Sequence, residues 1–427
     1  MTNVHNPHAP LSIAALLLSL TGCAVAPDQP LHAGLRPDMA QRLEAVQRAL
    51  IDDEVTGSNI LLVSQRGQEI YRRVVNADRR GDRDITPDTL FPIWSMSKPI
   101  TIVAMMTLFE QGKFSFDDPV SKYIPCFAEL QVAHASGPRP ATQPLLVEHL
   151  MTHRSGYGYY ALGGDSTDMP TPPAFDRPSP NQTRFDDLQS FCEAAARQPL
   201  AFEPGTAFLY GINQAILGRL VEVLSGVPFA EYLKTTIFDP LGMSETSFVL
   251  DDARRARLQP LWINMEDSPA LPGLRSPGGT VKGYTNLLNE LTYSPRSRAH
   301  FGGEGLVSSP ADYARFCQML LGGGVYDGRR ILTEDSIARM TTPASRNIFD
   351  GPGTDMGYSV FVLREGHEEG SLAPAGVYGW SGYHNTHFWI DPEHDLFVVF
   401  MSRAREFRGE IPIQLRAALY GEGPSAE

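Results

Sequence analysis

The sequence predicts an α+β fold in which strands from both ends of the chain form one antiparallel sheet, with helices between them. Near the N-terminus, residues 59–75 alternate like two strands around a Gln-Arg-Gly-Gln turn. Near the C-terminus, residues 357–364 and 387–390 alternate like strands, and residues 396–401 are typical of a buried one. The chain between these ends is helical and rich in loops. We therefore expect a sheet built from N- and C-terminal segments and flanked by helices, with a helical subdomain at approximately residues 91–290.

Helices are predicted where apolar residues recur at helical spacing, in residues 38–51, 312–321 and 410–420. Two Pro/Gly-rich segments, residues 157–184 and 260–283, are longer than ordinary connections. Loops of that length usually shape a binding cleft, so we expect them to border the functional site.

The composition favours one large domain and excludes some partners. A chain of 427 residues can bury a large core, and we expect a single domain over residues 38–421. The formal net charge of −13 makes the surface repel phosphate backbones and anionic lipid headgroups. A nucleic-acid partner is therefore not expected.

The N-terminus has the features of an export signal. Residues 11–20 (LSIAALLLSL) form an apolar run that is too short to span a bilayer. The following Leu-Thr-Gly-Cys resembles the bacterial lipobox, which implies lipidation of Cys23. We expect a signal peptide at residues 1–23, a tether at 24–37 and a lipoprotein of the cell envelope that faces the periplasm. Residues 1–10 contain no Lys or Arg, so a cleaved signal and a soluble periplasmic or secreted protein is the alternative.

The remaining cysteines, Cys126, Cys192 and Cys317, have neither metal-ligand spacing nor a Cys-x-x-Cys pair. We expect buried apolar thiols, with no disulfide scaffold, metal site or cofactor.

Ser95 and Lys98 are the first candidate site residues. Residues three apart share one face of a helix, and Pro99 favours a helix that begins near Ser95. Ser95 would then lie where free N–H groups and the positive end of the helix dipole favour an anion. A serine hydroxyl needs a neighbouring base, and a lysine surrounded by apolar residues can act as one because burial disfavours its ammonium form. The alternative is a capping serine beside a surface lysine.

Several segments resemble one family, the beta-lactamase-related serine hydrolases, which include class C beta-lactamases, D-alanyl-D-alanine carboxypeptidases and family VIII carboxylesterases. Residues 91–101 (FPIWSMSKPIT) are similar to the family's Ser-x-x-Lys segment, and residues 146–156 (LVEHLMTHRSG) to its Thr-His-x-Ser-Gly turn. Residues 301–343 resemble its Gly-Gly-x-Gly-Leu segment and the helices that follow, and residues 380–382 (Trp-Ser-Gly) its third motif. The resemblance covers roughly residues 39–420 and implies a beta-lactamase/transpeptidase-like fold.

The resemblance also implies roles for individual residues. Ser95 would be the nucleophile, Lys98 its base partner, and Tyr210 a second general base held close to Lys98. The oxyanion hole would use the backbone N–H groups of Ser95 and of Tyr383, the latter on the edge strand after the third motif.

The third motif would bind substrate. Trp380 would form an apolar wall, Ser381 would lie beside it, and Gly382 would let the substrate carbonyl approach the strand.

Two departures from the motifs of the lactam-directed members bear on the kind of substrate. Lactam-directed members carry Lys-Thr-Gly and Tyr-x-Asn, whereas this chain has Trp380 in place of the lysine and Ile212 in place of the asparagine, with Asn213 one position later. The family VIII esterases show such departures, so we expect a serine carboxylesterase for small, uncharged esters with short acyl chains, or amides.

The alternatives are a weak beta-lactamase or D-Ala-D-Ala carboxypeptidase, and a non-catalytic cell-wall-binding or sensor protein on the same scaffold. A zinc hydrolase would use His149 and His153, but Leu150 occupies the position where the His-Glu-x-x-His motif has its general base.

Overall fold

The computed structural model describes residues 32–159, 185–265, 281–285, 298–344, 353–405 and 407–423. The predicted signal peptide with Cys23, residues 24–31 of the tether and parts of both long loops lie outside these ranges. None of the helices in the described ranges is long and apolar enough to cross a membrane.

The α-helices of the described residues are numbered in chain order as α1 (Met39–Asp52), α2 (Ser97–Glu110), α3 (Val147–Met151), α4 (Leu188–Ala196), α5 (Asn213–Ser225), α6 (Phe229–Leu233), α7 (Asp239–Leu241), α8 (Asp252–Arg255), α9 (Pro310–Leu321), α10 (Glu334–Thr341) and α11 (Glu410–Tyr420). A π-helical segment, Lys234–Phe238, joins α6 to α7. Short 3₁₀ turns lie at Trp94–Met96, Val120–Lys122, Pro125–Phe127 and Gly366–Glu369.

The strands are β1 (Asn59–Gln65), β2 (Gln68–Val75), β3 (Phe91–Pro92), β4 (Gln131–Val132), β5 (Arg139–Pro140), β6 (Leu261–Met265), β7 (Val281–Thr285), β8 (Val307–Ser308), β9 (Val325–Tyr326), β10 (Arg329–Arg330), β11 (Thr354–Met356), β12 (Phe361–Leu363), β13 (Tyr378–Gly382), β14 (Thr386–Asp391), β15 (Leu396–Ser402) and β16 (Ala404–Arg405).

The main sheet joins the two ends of the chain, as predicted. Its strand order is β11-β12-β13-β14-β15-β1-β2, and every neighbouring pair is antiparallel. The N-terminal hairpin meets the C-terminal strands where β1 pairs with β15, from Asn59 opposite Ser402 to Gln65 opposite Leu396. The predicted α+β class and sheet are confirmed.

The sheet separates two apolar cores, and β15 contributes to both. Leu396, Val398 and Phe400 face the core that contains α1 and α11. The residues between them, such as Phe397 and Val399, face the larger core that contains α2, α5 and α9. Side chains of a strand alternate between the two faces of a sheet, so a strand covered on both faces is apolar throughout. This explains the continuous apolar pattern of residues 396–401.

Some element bounds differ from the prediction. Only Phe361–Leu363 of residues 357–364 is a strand, and it pairs with the additional strand β11. Helix α9 begins at Pro310 because Ser309 caps it, with Ser309 Oγ accepting a hydrogen bond of 3.1 Å from the N–H of Asp312.

Cys126, Cys192 and Cys317 are free thiols. Cys192 and Cys317 are buried, which raises the pKa of both thiols well above the usual value, whereas Cys126 is half-buried.

Candidate active site

Ser95 lies in the turn that leads into a deeply buried helix. Strand β3 pairs with β8, and the 3₁₀ turn Trp94–Met96 then leads directly into α2. The chain is therefore already helical around Ser95, but the α-helix itself begins two residues later than predicted. Every residue of α2 from Ser97 to Leu108 is buried. Pro99 falls in the first turn, where its missing N–H costs no hydrogen bond.

Lys98 lies within the protein and its amine reaches Ser95. The side chain is 0% exposed, and Nζ is 2.9 Å from Ser95 Oγ. Nζ also lies 2.6 Å from the carbonyl oxygen of Gly303 and 2.9 Å from the hydroxyl of Tyr159. An ammonium can donate to all three oxygens, whereas a neutral amine can donate to two and accept a proton from the serine hydroxyl. The same arrangement therefore suits Lys98 before and after proton transfer.

The Gly302–Gly303 segment lies against this pair. Thr101 Oγ1 donates a hydrogen bond of 2.8 Å to the carbonyl oxygen of Gly302. A Cβ atom at Gly302 would lie 2.5 Å from Thr101 Oγ1 and 2.8 Å from the carbonyl oxygen of Gln214, and real contacts are not that short. A residue without a side chain is thus needed at position 302, so that the segment can bring the Gly303 carbonyl within hydrogen-bond distance of Lys98 Nζ.

Tyr210 contacts Lys98 through its ring, and Tyr159 contacts it through its hydroxyl. Lys98 Nζ lies 4.7 Å from the ring centroid of Tyr210. The Tyr210 hydroxyl accepts a hydrogen bond of 3.4 Å from Trp380 Nε1. Tyr210 is close to Lys98, as expected, but no hydrogen bond between its hydroxyl and Lys98 is among those of the described residues. The two tyrosine rings are 5.5 Å apart, so both phenols border the Ser95–Lys98 pair.

Tyr210 is supported by a buried neutral histidine. The His153 ring lies 4.8 Å from the Tyr210 ring. Burial, followed by the charge of Lys98, holds the pKa of His153 well below its usual value. Asn213 Nδ2 donates a hydrogen bond of 2.8 Å to His153 Nδ1, and Asn213 Oδ1 accepts one from Ser155. Asn213 therefore fixes the orientation of the His153 ring, which packs against the ring of Tyr210.

His149, the other histidine of the zinc alternative, has a different environment. Its Nδ1 accepts a hydrogen bond of 3.3 Å from the N–H of Leu146, and burial lowers its pKa to about 4. Among the described residues, no three His, Cys, Asp or Glu side chains gather as ligands for a metal ion.

The third motif lies within β13, and Tyr383 lies in the turn that follows it. β12 pairs with β13 only at Tyr378 and Gly379, so residues 380–382 have no β12 partner within the described chain. We predicted that Tyr383 lies on an edge strand, but β13 ends at Gly382 because the chain turns there toward β14. Within the described part of the chain, the Tyr383 N–H has no backbone acceptor.

Gly382 packs against the chain that leads into the nucleophile turn. A Cβ atom there would lie 2.4 Å from the carbonyl oxygen of Ile93 and 2.2 Å from Thr386 Oγ1. Ser381 Oγ forms a hydrogen bond of 2.7 Å with Nδ1 of His387 on β14. Gly382 and Ser381 therefore fix the position of the turn at Tyr383.

Trp94 connects the two backbone segments that carry the predicted oxyanion N–H groups. Its φ of +47° is unusual for a non-glycine residue, and it directly precedes Ser95. Its indole Nε1 donates a hydrogen bond of 2.8 Å to Nδ1 of His384, which follows Tyr383. This bond holds the Ser95 turn and the Tyr383 turn in one arrangement.

Comparison with known proteins places the chain in a family. The profile of the Beta-lactamase family matches residues 43–420. The chain belongs to the beta-lactamase family. It is a serine hydrolase of that family, and residues 43–420 include every candidate residue except Cys23.

The relatives of this chain include proteins named as esterases. The chain is 28% identical to "Esterase EstB" of Burkholderia gladioli over 394 residues, which cover 90% of this chain and 95% of that protein. It is 28% identical to "Lovastatin esterase" of Penicillium rubens over 286 residues, which cover 64% and 66% of the two chains. The structure of "EstCE1, a hydrolase with promiscuous acyltransferase activity" superposes with a TM-score of 0.71 at 24% identity, covering 90% of this chain and 99% of that one. The last likeness shows the beta-lactamase-like fold.

Sequence reasoning missed Tyr159 and the pair of Trp94 and His384. Tyr159 follows the beta-lactamase-family Thr-His-x-Ser-Gly turn closely, which is the one sequence signal that points to it. Trp94 and His384 are 290 residues apart, and nothing in the local pattern of either indicates the hydrogen bond between them.

Proposed function

We propose that the protein hydrolyses carboxylic esters through an acyl-enzyme on Ser95. The observation that carries this proposal is the hydrogen bond of 2.9 Å between the fully buried Lys98 Nζ and Ser95 Oγ at the start of α2. Lys98 takes the proton while Ser95 Oγ attacks the ester carbonyl. The N–H groups of Ser95 and Tyr383 stabilise the oxyanion, and the alcohol leaves with a proton. Water then attacks the acyl-enzyme, and the same proton transfers and oxyanion contacts release the acid and restore the Ser95 hydroxyl.

The two tyrosines have separate roles in this proposal. Tyr159 holds the Lys98 amine through its hydroxyl, and the Gly303 carbonyl holds it as well. Tyr210 acts as the second general base, because its ring lies beside Lys98 and its hydroxyl reaches Trp380 of the third motif. From that position it can pass a proton to the leaving alcohol or from the attacking water.

Two features favour an ester over a beta-lactam. Trp380 occupies the position where lactam-directed members carry lysine, and it contacts Tyr210. Asn213 is buried and bonded to His153 and Ser155, so its amide is not available to a substrate. The relatives that are named esterases support the same choice.

A substrate panel tests the proposed reaction. The purified protein is assayed on p-nitrophenyl acetate, butyrate, octanoate and laurate, on nitrocefin, and on a D-Ala-D-Ala peptide. We expect the highest kcat/KM for the short acyl chains, because the rings of Tyr159, Tyr210 and Trp380 lie together beside the Ser95–Lys98 pair. Faster turnover of nitrocefin or of the peptide would overturn the esterase proposal, and turnover of no substrate would favour the non-catalytic wall-binding or sensor alternative.

Single substitutions distinguish the proposed roles of Tyr159 and Tyr210. Tyr210→Phe removes the hydroxyl proposed for proton transfer, so we expect kcat for p-nitrophenyl butyrate to fall by about 10²- to 10³-fold. Tyr159→Phe removes one partner of Lys98, and a fall of about tenfold is expected. Steady-state kinetics of both variants check this. The opposite order of effects would give the second-base role to Tyr159.

We also propose that the protein is exported and anchored to the cell envelope through Cys23. The apolar run at residues 11–20 and the lipobox-like sequence after it support this. Labelled palmitate fed to cells that express the full chain should be incorporated, and Cys23→Ala should abolish the incorporation. Equal labelling of both proteins would contradict lipidation at Cys23.

A further inference from the structure

Ser359 is buried in a backbone conformation that serine rarely adopts. It lies in the turn between β11 and β12, is 0% exposed and has a φ of +54°. Glycine is more stable than serine in this left-handed region, so the strain indicates that the side chain is used. The Ser359 hydroxyl lies 3.1 Å from the carbonyl oxygen of Met151 and 3.5 Å from Nε2 of His153, whose own φ is +55°. Two strained residues therefore meet beside the ring that packs on Tyr210.

A series of hydrogen bonds reaches His153 from the backbone of Tyr157. The N–H of Tyr157 donates a hydrogen bond of 3.0 Å to Ser155 Oγ. Ser155 donates its own hydrogen to Asn213 Oδ1, and Asn213 Nδ2 donates a hydrogen bond of 2.8 Å to His153 Nδ1. A backbone N–H can only donate, and each later group in the series then donates in the same direction. His153 Nδ1 is therefore an acceptor.

The series continues from His153 to Ser359. Burial, followed by the charge of Lys98, keeps the pKa of His153 well below its usual value, so the ring is neutral and carries its hydrogen on Nε2. Nε2 donates to Ser359 Oγ, and Ser359 donates to the carbonyl oxygen of Met151, at the end of α3 where carbonyls have no partner within the helix. The side-chain amide of Gln214 contacts both Ser359 Oγ and His153 Nε2. A backbone donor and a backbone acceptor thus terminate the series, and both ring nitrogens of His153 are engaged.

His153 in turn supports Tyr210, the proposed second general base. Tyr210 belongs to neither a helix nor a strand and lies shortly before α5. The N–H of Leu209 donates a hydrogen bond of 2.8 Å to the carbonyl oxygen of His153, and the rings of His153 and Tyr210 are 4.8 Å apart. The position of the Tyr210 hydroxyl therefore depends on the His153 ring. Histidine is the side chain that most often acts as a general base, but here Asn213 occupies the lone pair of Nδ1.

We propose that Ser359 is a positioning residue for the ester-hydrolysing site. Its hydroxyl fixes His153 in the form that carries the hydrogen on Nε2, so that the ring packs against Tyr210 without competing for its proton. The inference rests on the proposed function, in which Tyr210 exchanges protons with the reacting groups. Ser359 acts through His153 and has no contact with the ester.

Two substitutions separate the Ser359 hydroxyl from the backbone conformation. Ser359→Gly removes the hydroxyl and suits the positive φ, whereas Ser359→Ala removes the hydroxyl and keeps the strain. Both should lower kcat for p-nitrophenyl butyrate about tenfold and change KM less than about twofold, with unchanged circular dichroism. The matched control is Asp327→Gly, which introduces glycine at an exposed position with a φ of +45° and should leave kcat unchanged. If Ser359→Gly keeps the wild-type kcat, or raises KM instead, the positioning role is wrong.

The protonation of the His153 ring is measured independently of turnover. In protein labelled with nitrogen-15 histidine, the two ring nitrogens of His153 are assigned by their absence from the His153→Gln spectrum. We expect hydrogen on Nε2 alone in the wild type and in Asp327→Gly. In Ser359→Gly the two nitrogen shifts should approach each other, because the ring exchanges between its tautomers.

The two measurements distinguish failure of the inference from failure of the proposed function. Hydrogen on His153 Nδ1 in the wild type, or identical nitrogen shifts in the wild type and Ser359→Gly, would overturn the inference whatever the esterase activity. If the wild type hydrolyses no ester, the proposed function fails, while a change of the nitrogen shifts in Ser359→Gly still supports the part of the inference in which Ser359 fixes His153.

Discussion

Replacement of Ser95 by alanine is expected to lower kcat/KM for p-nitrophenyl butyrate by about 10⁴-fold or more. The substitution removes the only atom in the account that forms a bond to the acyl group. Lys98 Nζ would keep the Gly303 carbonyl and the Tyr159 hydroxyl as partners, so the buried amine stays hydrogen-bonded and the fold should be retained. The measurement is steady-state hydrolysis, with circular dichroism and the unfolding temperature recorded for the same preparations.

The control for this prediction is Ser136→Ala, which makes the same change at an exposed position. It should leave kcat/KM unchanged. Activity of the Ser95→Ala variant within tenfold of the wild type would show that another group attacks the ester.

Replacement of Lys98 by methionine should have the second-largest effect, a loss of about 10³-fold or more in kcat. Methionine is of similar length and suits a fully buried position, but it can neither accept the Ser95 proton nor return it to the leaving group. The unfolding temperature should fall modestly, because methionine fills the buried space but the Gly303 carbonyl and the Tyr159 hydroxyl lose a hydrogen-bond partner. Single-turnover acylation, followed by release of p-nitrophenol, separates the lost proton transfer from any change in substrate binding.

Lys113→Met is the matched control, since Lys113 is exposed just beyond the C-terminal end of α2. If Lys98→Met keeps more than a tenth of the wild-type acylation rate, Lys98 is not the base, and the proton of Ser95 must go to one of the neighbouring tyrosines.

The parts of the fold that could be predicted are those whose secondary structure is evident from a local sequence pattern. Residues 59–75 show both strands of the hairpin and its turn, and residues 410–420 coincide with α11. A common sheet for the two ends of the chain was predicted as well, because their apolar segments need one to bury their side chains; that β1 pairs with β15 became visible only in the structure. Strand β11 was missed because it contains three residues, too few to show a period of two.

The candidate site was predictable where one local segment determines the geometry. The spacing of Ser95 and Lys98 places both on one helix face, and their contact needs little else. The position of the tyrosine hydroxyls depends instead on how α5 and the turn near His153 pack against α2, and no short sequence pattern encodes this. For the same reason the contacts of Ser359 with His153 and of Trp94 with His384, each between segments distant in sequence, became visible only in the structure.

The most direct test of the account is to map a covalent serine label. The purified protein is treated with a fluorophosphonate, and the modified residue is identified by peptide mass spectrometry while residual esterase activity is followed. The account predicts one label per chain, on Ser95, with loss of activity in proportion to labelling and very slow labelling of Lys98→Met. Label on another residue, or full modification of Ser95 with activity retained, would contradict a serine nucleophile activated by the neighbouring amine.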